Sequence, residues 1–282
     1  MRRKKVYCIL IVSMIVLAAF VGWIIWGNSA LELNSLIIQC PRLPNAFSGF
    51  TIAHISDLHN TTFGNNNEKL LSMLRDASPD IIVVTGDLID SRKTDVETAA
   101  AFMEKALMVA PVYYVTGNHE SRVTEFPMLQ KRLEAMGVTV LRNESMELCR
   151  EDSHILLVGL DDSDFYSKIP SQQAVSAALT LLCNDADQFT ILLSHRPELF
   201  QTYAAYPIDV VFSGHAHGGQ IRLPFLGGLV APGQGLFPEY DAGVYRMQDI
   251  QMIVSRGLGN SLFPFRVNNR PEVLLVTLTT AQ

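Results

Sequence analysis

Phe50-Thr51-Ile52-Ala53-His54-Ile55-Ser56-Asp57-Leu58-His59 is an apolar, strand-like run that ends abruptly in two potential metal donors. The pattern recurs along the chain. Strand-like residues 80–85, 111–116, 189–194 and 209–213 run into Gly86-Asp87, Gly117-Asn118-His119-Glu120, His195 and Gly214-His215-Ala216-His217. Five of the seven histidines fall in these motifs. Parallel strands of an α/β sheet gather their carboxyl ends along one edge, so residues far apart in sequence can meet there. The convergent set is Asp57, His59, Asp87, Asn118, His195, His215 and His217, with His119 beside the asparagine. These are the donor types of a two-metal centre. An aspartate carboxylate offers two oxygens and can bridge a pair of cations. Two ions ~3.5–4 Å apart polarise a phosphoryl group and lower the pKa of a bridging water.

Helical periodicity fills the segments between the motifs, at residues 67–77, 95–109, 125–136 and 171–182. Pro79, Pro111 and Gly137 punctuate their ends. Alternation of strand and helix through the first two thirds predicts a layered α/β architecture. After His217 the chain turns glycine-rich, with short β-like runs at residues 220–223, 243–247, 251–255 and 273–279. These predict hairpins that complete a second sheet. With no internal repeat, one folded domain at residues 50–282 is the simplest count, preceded by a stalk with a candidate edge strand at residues 27–49.

The amino terminus is different in kind. Residues 6–26 carry no charge, a length sufficient for a transmembrane helix, and Arg2, Arg3, Lys4 and Lys5 precede them. The next basic residue is Arg42, so the positive-inside rule places the basic tip in the cytoplasm and the catalytic domain outside the cell membrane. Trp23 and Trp26 would lie at headgroup level. A signal peptide cleaved at Asn28-Ser29-Ala30 is the competing reading, but the apolar run exceeds the ~7–15 residues of a signal core. The paired arginines lack the following residues of a twin-arginine export signal.

The chain of 282 residues has 48% hydrophobic content, enough to bury a substantial core. Its net charge of -6 gives no basis for electrostatic capture of nucleic acid by the domain as a whole. Phosphate binding must then come from metals or a local site. Cys8 lies in the apolar span, and Cys40, Cys149 and Cys183 have no metal-site spacing, so no disulfide is assigned.

Taken in order, Asp57-x-His59, Gly86-Asp87, Gly117-Asn118-His119-Glu120, His195 and Gly214-His215-x-His217 resemble the signature of the calcineurin-like metallophosphoesterases. The resemblance covers essentially all of the chain after residue 50. It implies a sandwich of two mixed β-sheets flanked by helices. It also implies two divalent metal ions, manganese, iron or zinc. Asp57, His59 and His217 would bind one and Asn118, His195 and His215 the other, with Asp87 bridging. His119 would lie over the phosphoryl group without binding metal, stabilising negative charge or protonating the leaving oxygen, roles that suit imidazole. A narrower likeness, to membrane-anchored bacterial members, rests on the N-terminal span and on Gly218-Gly219-Gln220 and Ser255-Arg256-Gly257-Leu258-Gly259. Some relatives in that branch cleave the pyrophosphate of a lipid-linked sugar nucleotide such as UDP-2,3-diacylglucosamine.

The expected activity is therefore hydrolysis of phosphodiester or pyrophosphate bonds by in-line attack of metal-bridging hydroxide, on substrates that extend to lipid-linked ones. A phosphomonoesterase or protein phosphatase and a non-catalytic metal-binding scaffold remain as alternatives. The oligomeric state is not legible. Elsewhere bland readings prevail: His54 and His154 are read as structural. Asp161 and Asp162 end a strand-like run, where a turn explains them as well as a place at the site does. Glu120 is expected to orient a histidine ligand. Arg196 and Arg256 are candidate phosphate partners, with salt bridges as the commoner reading. Phe237, Phe263 and Phe265 lie in proline-containing loops, where contact with lipid or an acyl chain is one reading and packing under the loops the commoner one. The acceptor patterns at Asn60 and Asn143 are treated as chance matches.

Overall fold

The computed structural model describes residues 2–260 and 263–280. It opens with a single long helix, α1 (Arg2–Ser29), long and apolar enough to cross a membrane and not buried in the protein. Two residues later the folded body begins with β1 (Glu32–Gln39). There follow β2 (Phe50–Ile55), α2 (Glu68–Ala77), β3 (Ile81–Thr85), α3 (Val96–Leu107), β4 (Val112–Val115), α4 (Phe126–Met136) and β5 (Thr139–Val140). The second half contains β6 (Glu144–Arg150), β7 (Ser153–Gly159), α5 (Ser171–Leu182), β8 (Thr190–Leu193), α6 (Phe200–Tyr203) and β9 (Val210–Ser213). Small hairpins β10 (Arg222–Leu223) with β11 (Gly227–Gly228), and β12 (Val230–Ala231) with β13 (Gly235–Leu236), lead to β14 (Gly243–Met247), β15 (Ile250–Val254) and β16 (Glu272–Thr279).

Two six-stranded mixed sheets result, in the orders β1-β16-β2-β3-β4-β5 and β14-β15-β9-β8-β7-β6. Within them β2, β3, β4 and β5 are mutually parallel, as are β7, β8, β9 and β15. Of these, β3, β4, β8, β9 and β15 are buried along their whole length, which is why they read as unbroken apolar runs. Alternate side chains divide between layers. Ile52, Val83, Val115, Ile191, Leu193 and Phe212 fill the space between the sheets. Their neighbours Ala53, Ile82, Val84 and Tyr114 pack under α2, α3 and α4, while Leu192 and Val211 pack under α5 and α6. The helices end as the sequence indicates: Asp95 caps α3 by accepting from the Thr98 amide at 3.0 Å, and Gly137 ends α4 in a left-handed conformation.

Two of the runs expected in the second sheet lie elsewhere: residues 220–223 contribute β10 to a separate two-stranded hairpin with β11, and a longer run joins the first sheet. The run at residues 273–279 does not complete the second sheet. It forms β16 of the first sheet, parallel to β1 and antiparallel to β2. Alternating burial specifies which faces are covered and not which sheet supplies the neighbours.

Candidate metal centre

The expected donors leave the strand ends in tight turns. Asp57 and His59 follow β2, Asp87 follows β3, Asn118 follows β4, His195 follows β8, and His215 and His217 follow β9. Five of them, Asp57, His59, Asp87, His215 and His217, have φ between 47° and 65°. Positive φ is uncommon outside glycine, and such strain persists only where the surrounding structure holds it. Here cross-bonds hold it: the Asp57 amide donates to Gly86 O at 3.1 Å and the His59 amide to Asp87 O at 2.9 Å. Glycine is required at position 86, at φ 83°, because a Cβ there would collide with the Gly117 backbone and the His195 ring.

All seven donors converge. Ligating atoms of Asp57, His59, Asp87 and His217 lie within 4.8 Å of one another, as do those of Asp87, His195 and His215, so Asp87 is common to both groups. His217 Nε2 is 3.4 Å from Asp57 Oδ1, and His59 Nε2 is 3.6 Å from Asp87 Oδ2. Asn118 Oδ1 joins the second group, 3.2 Å from His195 Nε2. All seven side chains are buried.

The electrostatics of this set suit divalent cations. Metal ligands must present free lone pairs. Burial lowers the His59 imidazole to about 4 and the His217 imidazole to about 3, and pushes His215 well below its ordinary range. Burial works against ionised Asp87, but the imidazoles of His195, His59 and His119 outweigh it and hold the carboxyl well below the usual range. The nitrogen His195 Nδ1 lies 2.7 Å from the Thr85 carbonyl and donates to it. In the neutral ring the Nε2 lone pair then faces Asp87 Oδ2 at 3.3 Å and Asn118 Oδ1 at 3.2 Å, acceptor against acceptor. That arrangement calls for a positive charge at its centre. The same need appears in His195 itself, where burial is overcome by Asp87 and the ring is raised to about 10.

A cavity of about 470 Å³ opens over the donors, lined by Asp87, Asn118, His119, Arg122, Arg196 and His215 among others. Nδ1 of His119 accepts from the Ser91 amide at 2.9 Å, so Nε2 carries the proton of the neutral ring. Nε2 lies 4.0 Å from Asp87 Oδ2. Arg196 is mostly buried and is gripped by Asp162 through two bonds of 2.8 Å.

Two expectations are corrected, for Glu120 and for the three phenylalanines, while Arg256, His54 and His154 meet the structural readings given to them. Glu120 bonds no histidine; it accepts from the backbone amides of Asp87 at 2.9 Å, Gly117 at 2.7 Å and Ile89 at 3.2 Å, so it shapes the Asp87 turn. Arg256 pairs with Glu32 and Glu272 and tethers β1 and β16 away from this cavity. Asp161 serves Arg142, at 2.7 and 2.8 Å. Phe237, Phe263 and Phe265 are exposed, where burial under their loops was expected. His54 is buried within β2, bonded to Thr85 Oγ1 at 2.8 Å, and His154 is exposed, both outside the donor set. Sequence reasoning missed Asn269, which donates to His217 O at 2.7 Å, and the buried Arg266, whose guanidinium lies 3.4 Å from His217 Nδ1. Neither sits in a motif, and only long-range packing reveals them.

Comparison with known proteins agrees with this architecture. Residues 50–219 match the family model described as calcineurin-like phosphoesterase. The chain is 31% identical over 254 residues to YkuE, an uncharacterized metallophosphoesterase of Bacillus subtilis, covering 88% of this chain and 85% of the relative. It is 28% identical over 239 residues to the phosphodiesterase YaeI of Escherichia coli, covering 81% and 82%. Among solved structures, TT1561 of Thermus thermophilus superposes with a TM-score of 0.53 at 13% identity, over 75% of this chain and 91% of that one.

Proposed function

The chain belongs to the calcineurin-like phosphoesterases, a family of metal-dependent hydrolases, and from that premise we propose that it cleaves phosphodiester or pyrophosphate bonds at a two-metal centre. In this reading Asp57, His59 and His217 hold one ion, Asn118, His195 and His215 the other, and Asp87 bridges. Mixed oxygen and imidazole donors suit manganese, iron and zinc alike. When bound, such a pair polarises the phosphoryl group and lowers the pKa of a shared water.

The observation that carries the proposal is the sharing of Asp87 by two donor groups beneath a cavity into which His119 projects. His119 Nε2–H is placed to donate to a phosphoryl oxygen and then to the leaving oxygen, because the Ser91 amide occupies Nδ1. Arg122 and Arg196 line the same cavity and favour an anionic substrate. The likeness to the E. coli phosphodiesterase supports a diester over a monoester.

The long apolar helix α1 supports a single-pass anchor. The basic tip Arg2-Arg3-Lys4-Lys5 favours a cytoplasmic amino terminus with the catalytic domain on the outer side. A tethered enzyme gains effective concentration toward substrates in its own membrane, which favours lipid-linked phosphodiesters or pyrophosphates.

The test is hydrolysis of bis(p-nitrophenyl) phosphate beside p-nitrophenyl phosphate by the full-length protein, stripped of metal and reloaded separately with manganese, iron or zinc. Preference for the diester is expected. Preference for the monoester would move the assignment to a phosphatase, and two bound ions without turnover would leave a scaffold.

A further inference from the structure

Three loops beyond His217 pair an exposed phenylalanine with proline: Pro224-Phe225, Phe237-Pro238 and Phe263-Pro264-Phe265. Phe225 is fully exposed, Phe237 is 59% exposed, and Phe263 and Phe265 are 45% and 38% exposed, with Leu226 and Leu236 beside them also in solvent. Phe225 and Phe237 moreover occupy left-handed backbone, at φ 67° and 53°. For a bulky residue that conformation is an outlier, and glycine or asparagine would serve either turn at less cost. These side chains therefore serve neither the turns nor the core. Apolar groups clustered in solvent mark an interaction surface.

The three loops are one structural unit. Gln220 Nε2 donates to the carbonyls of Phe263 and Phe265 at 3.1 and 3.0 Å. The Arg222 amide donates to Val267 O at 3.0 Å, the Leu229 amide to Ile221 O at 2.8 Å, and the Phe237 amide to Leu229 O at 2.9 Å. This unit hangs from the turn that carries His217, and the β12–β13 turn supplies Pro232 and Gly233 to the wall of the metal-site cavity.

It is also fastened to the end of the apolar helix. Asn28 Oδ1 accepts from the Arg266 amide at 2.7 Å and Asn28 Nδ2 donates to Arg266 O at 2.9 Å. The Arg270 guanidinium lies over the Trp26 ring, 5.1 Å from its centre. Only Ala30 and Leu31 separate α1 from β1, so the loops cannot stand far from the plane at which the helix leaves the bilayer.

We propose that the three phenylalanine–proline loops insert into the interfacial layer of the bilayer that α1 crosses, seating the rim of the metal-site cavity on the membrane surface. The proposal rests on α1 being a membrane anchor and gives the lipid-substrate reading a physical route. Proline limits the loops' freedom before insertion, which lowers the entropy lost on binding. A substrate embedded by acyl chains could then present its phosphate to the cavity without leaving the membrane.

The experiment uses full-length protein in lipid nanodiscs. With Trp23→Phe and Trp26→Phe as background, a single tryptophan is placed by Phe225→Trp, Phe237→Trp, Phe263→Trp or, as a control on the exposed end of α3, Met108→Trp. Lipids brominated on the upper acyl chain should quench and blue-shift emission from the loop positions and leave the control unchanged. Emission from the loops no more quenched than the control overturns the proposal. So does a blue shift without quenching, which would mean contact with a second protein copy. The readout needs no turnover, so loss of the phosphoesterase reading would not disturb it. In a parallel arm, Phe225→Glu with Phe237→Glu should leave hydrolysis of the soluble diester intact and reduce hydrolysis of a diester lipid held in the disc. Equal loss on both substrates would count against membrane seating.

Discussion

The Ser91 amide donates to His119 Nδ1 at 2.9 Å, and this one backbone bond decides what His119 can do. A ring whose Nδ1 accepts must carry its neutral-state proton on Nε2, the atom that faces the cavity. His119 is thereby prepared as a donor, whereas the seven residues beneath it present lone pairs. His119→Ala is accordingly expected to lower kcat by about 10²–10⁴-fold, the usual worth of a positioned proton donor. Metal content, measured by elemental analysis, should stay unchanged. Loss of bound metal together with activity would make His119 a ligand instead.

The Glu120 carboxylate has a different task. It collects three backbone amides from two loops that carry candidate metal donors. Removing it by Glu120→Ala leaves buried donors without partners, each costing ~1–3 kcal/mol. A total near 3 kcal/mol would lower Tm by roughly 6–12 °C in a domain of this size. Glu120→Gln keeps one acceptor oxygen and should lose less. Equal Tm values for wild type and Glu120→Ala in thermal unfolding would show that the turn holds itself.

Much of this was legible before the structure, for a physical reason. Strands buried on both faces read as continuous apolar runs, and donors placed one or two residues past each run can only lie at the sheet's carboxyl edge. Asp57, Asp87 and His195 could be located in that way. What depended on long-range packing could not. Pairing of β16 with β1 joins residues 240 positions apart at Glu32 and Glu272. The Asn28–Arg266 bonds span a similar distance, and neither pairing leaves a local pattern. Glu120 was assigned a histidine partner because side-chain chemistry is visible in sequence, whereas backbone amides, its true partners, are common to every residue. Exposure of Phe263 and Phe265 was invisible because apolar character alone does not separate core from docking surface.

His54 should make the protein acid-sensitive independently of the metal centre. It is fully buried between the sheets, edge-on to Phe212, and burial lowers it to about 3 from an ordinary value of 6.5. Its contribution to stability is complete above the unfolded value. As pH falls below about 6.5 the unfolded chain takes up a proton that the folded chain refuses, and stability declines by up to ~1.4 kcal/mol per pH unit until about pH 3. His54→Gln removes this term. Between pH 7 and pH 5 the variant should lose about 2 kcal/mol less than wild type in urea unfolding, since the other buried histidines are common to both proteins. Identical pH slopes would place the proton elsewhere.

Arg196 and Asp162 form the buried ion pair of the cavity wall, and its behaviour on mutation should separate stability from function. Burial opposes the guanidinium charge, but Asp162, Asp164 and Glu198 together hold the side chain charged. Asp162→Ala removes the two 2.8 Å bonds and leaves Asp164 and Glu198 to hold the charge, so it is expected to cost less than the about 3–5 kcal/mol of breaking an isolated buried pair from one side. Replacing both partners with apolar residues, Arg196→Met with Asp162→Leu, should restore only part of the stability, because Asp162 is no longer left unpaired but Asp164 and Glu198 lose their guanidinium. Activity should not return with it if Arg196 helps to hold an anionic substrate: KM for the diester should stay raised in the double variant. A stable double variant with wild-type KM would reduce Arg196 to a structural role and leave substrate charge to the metals and His119.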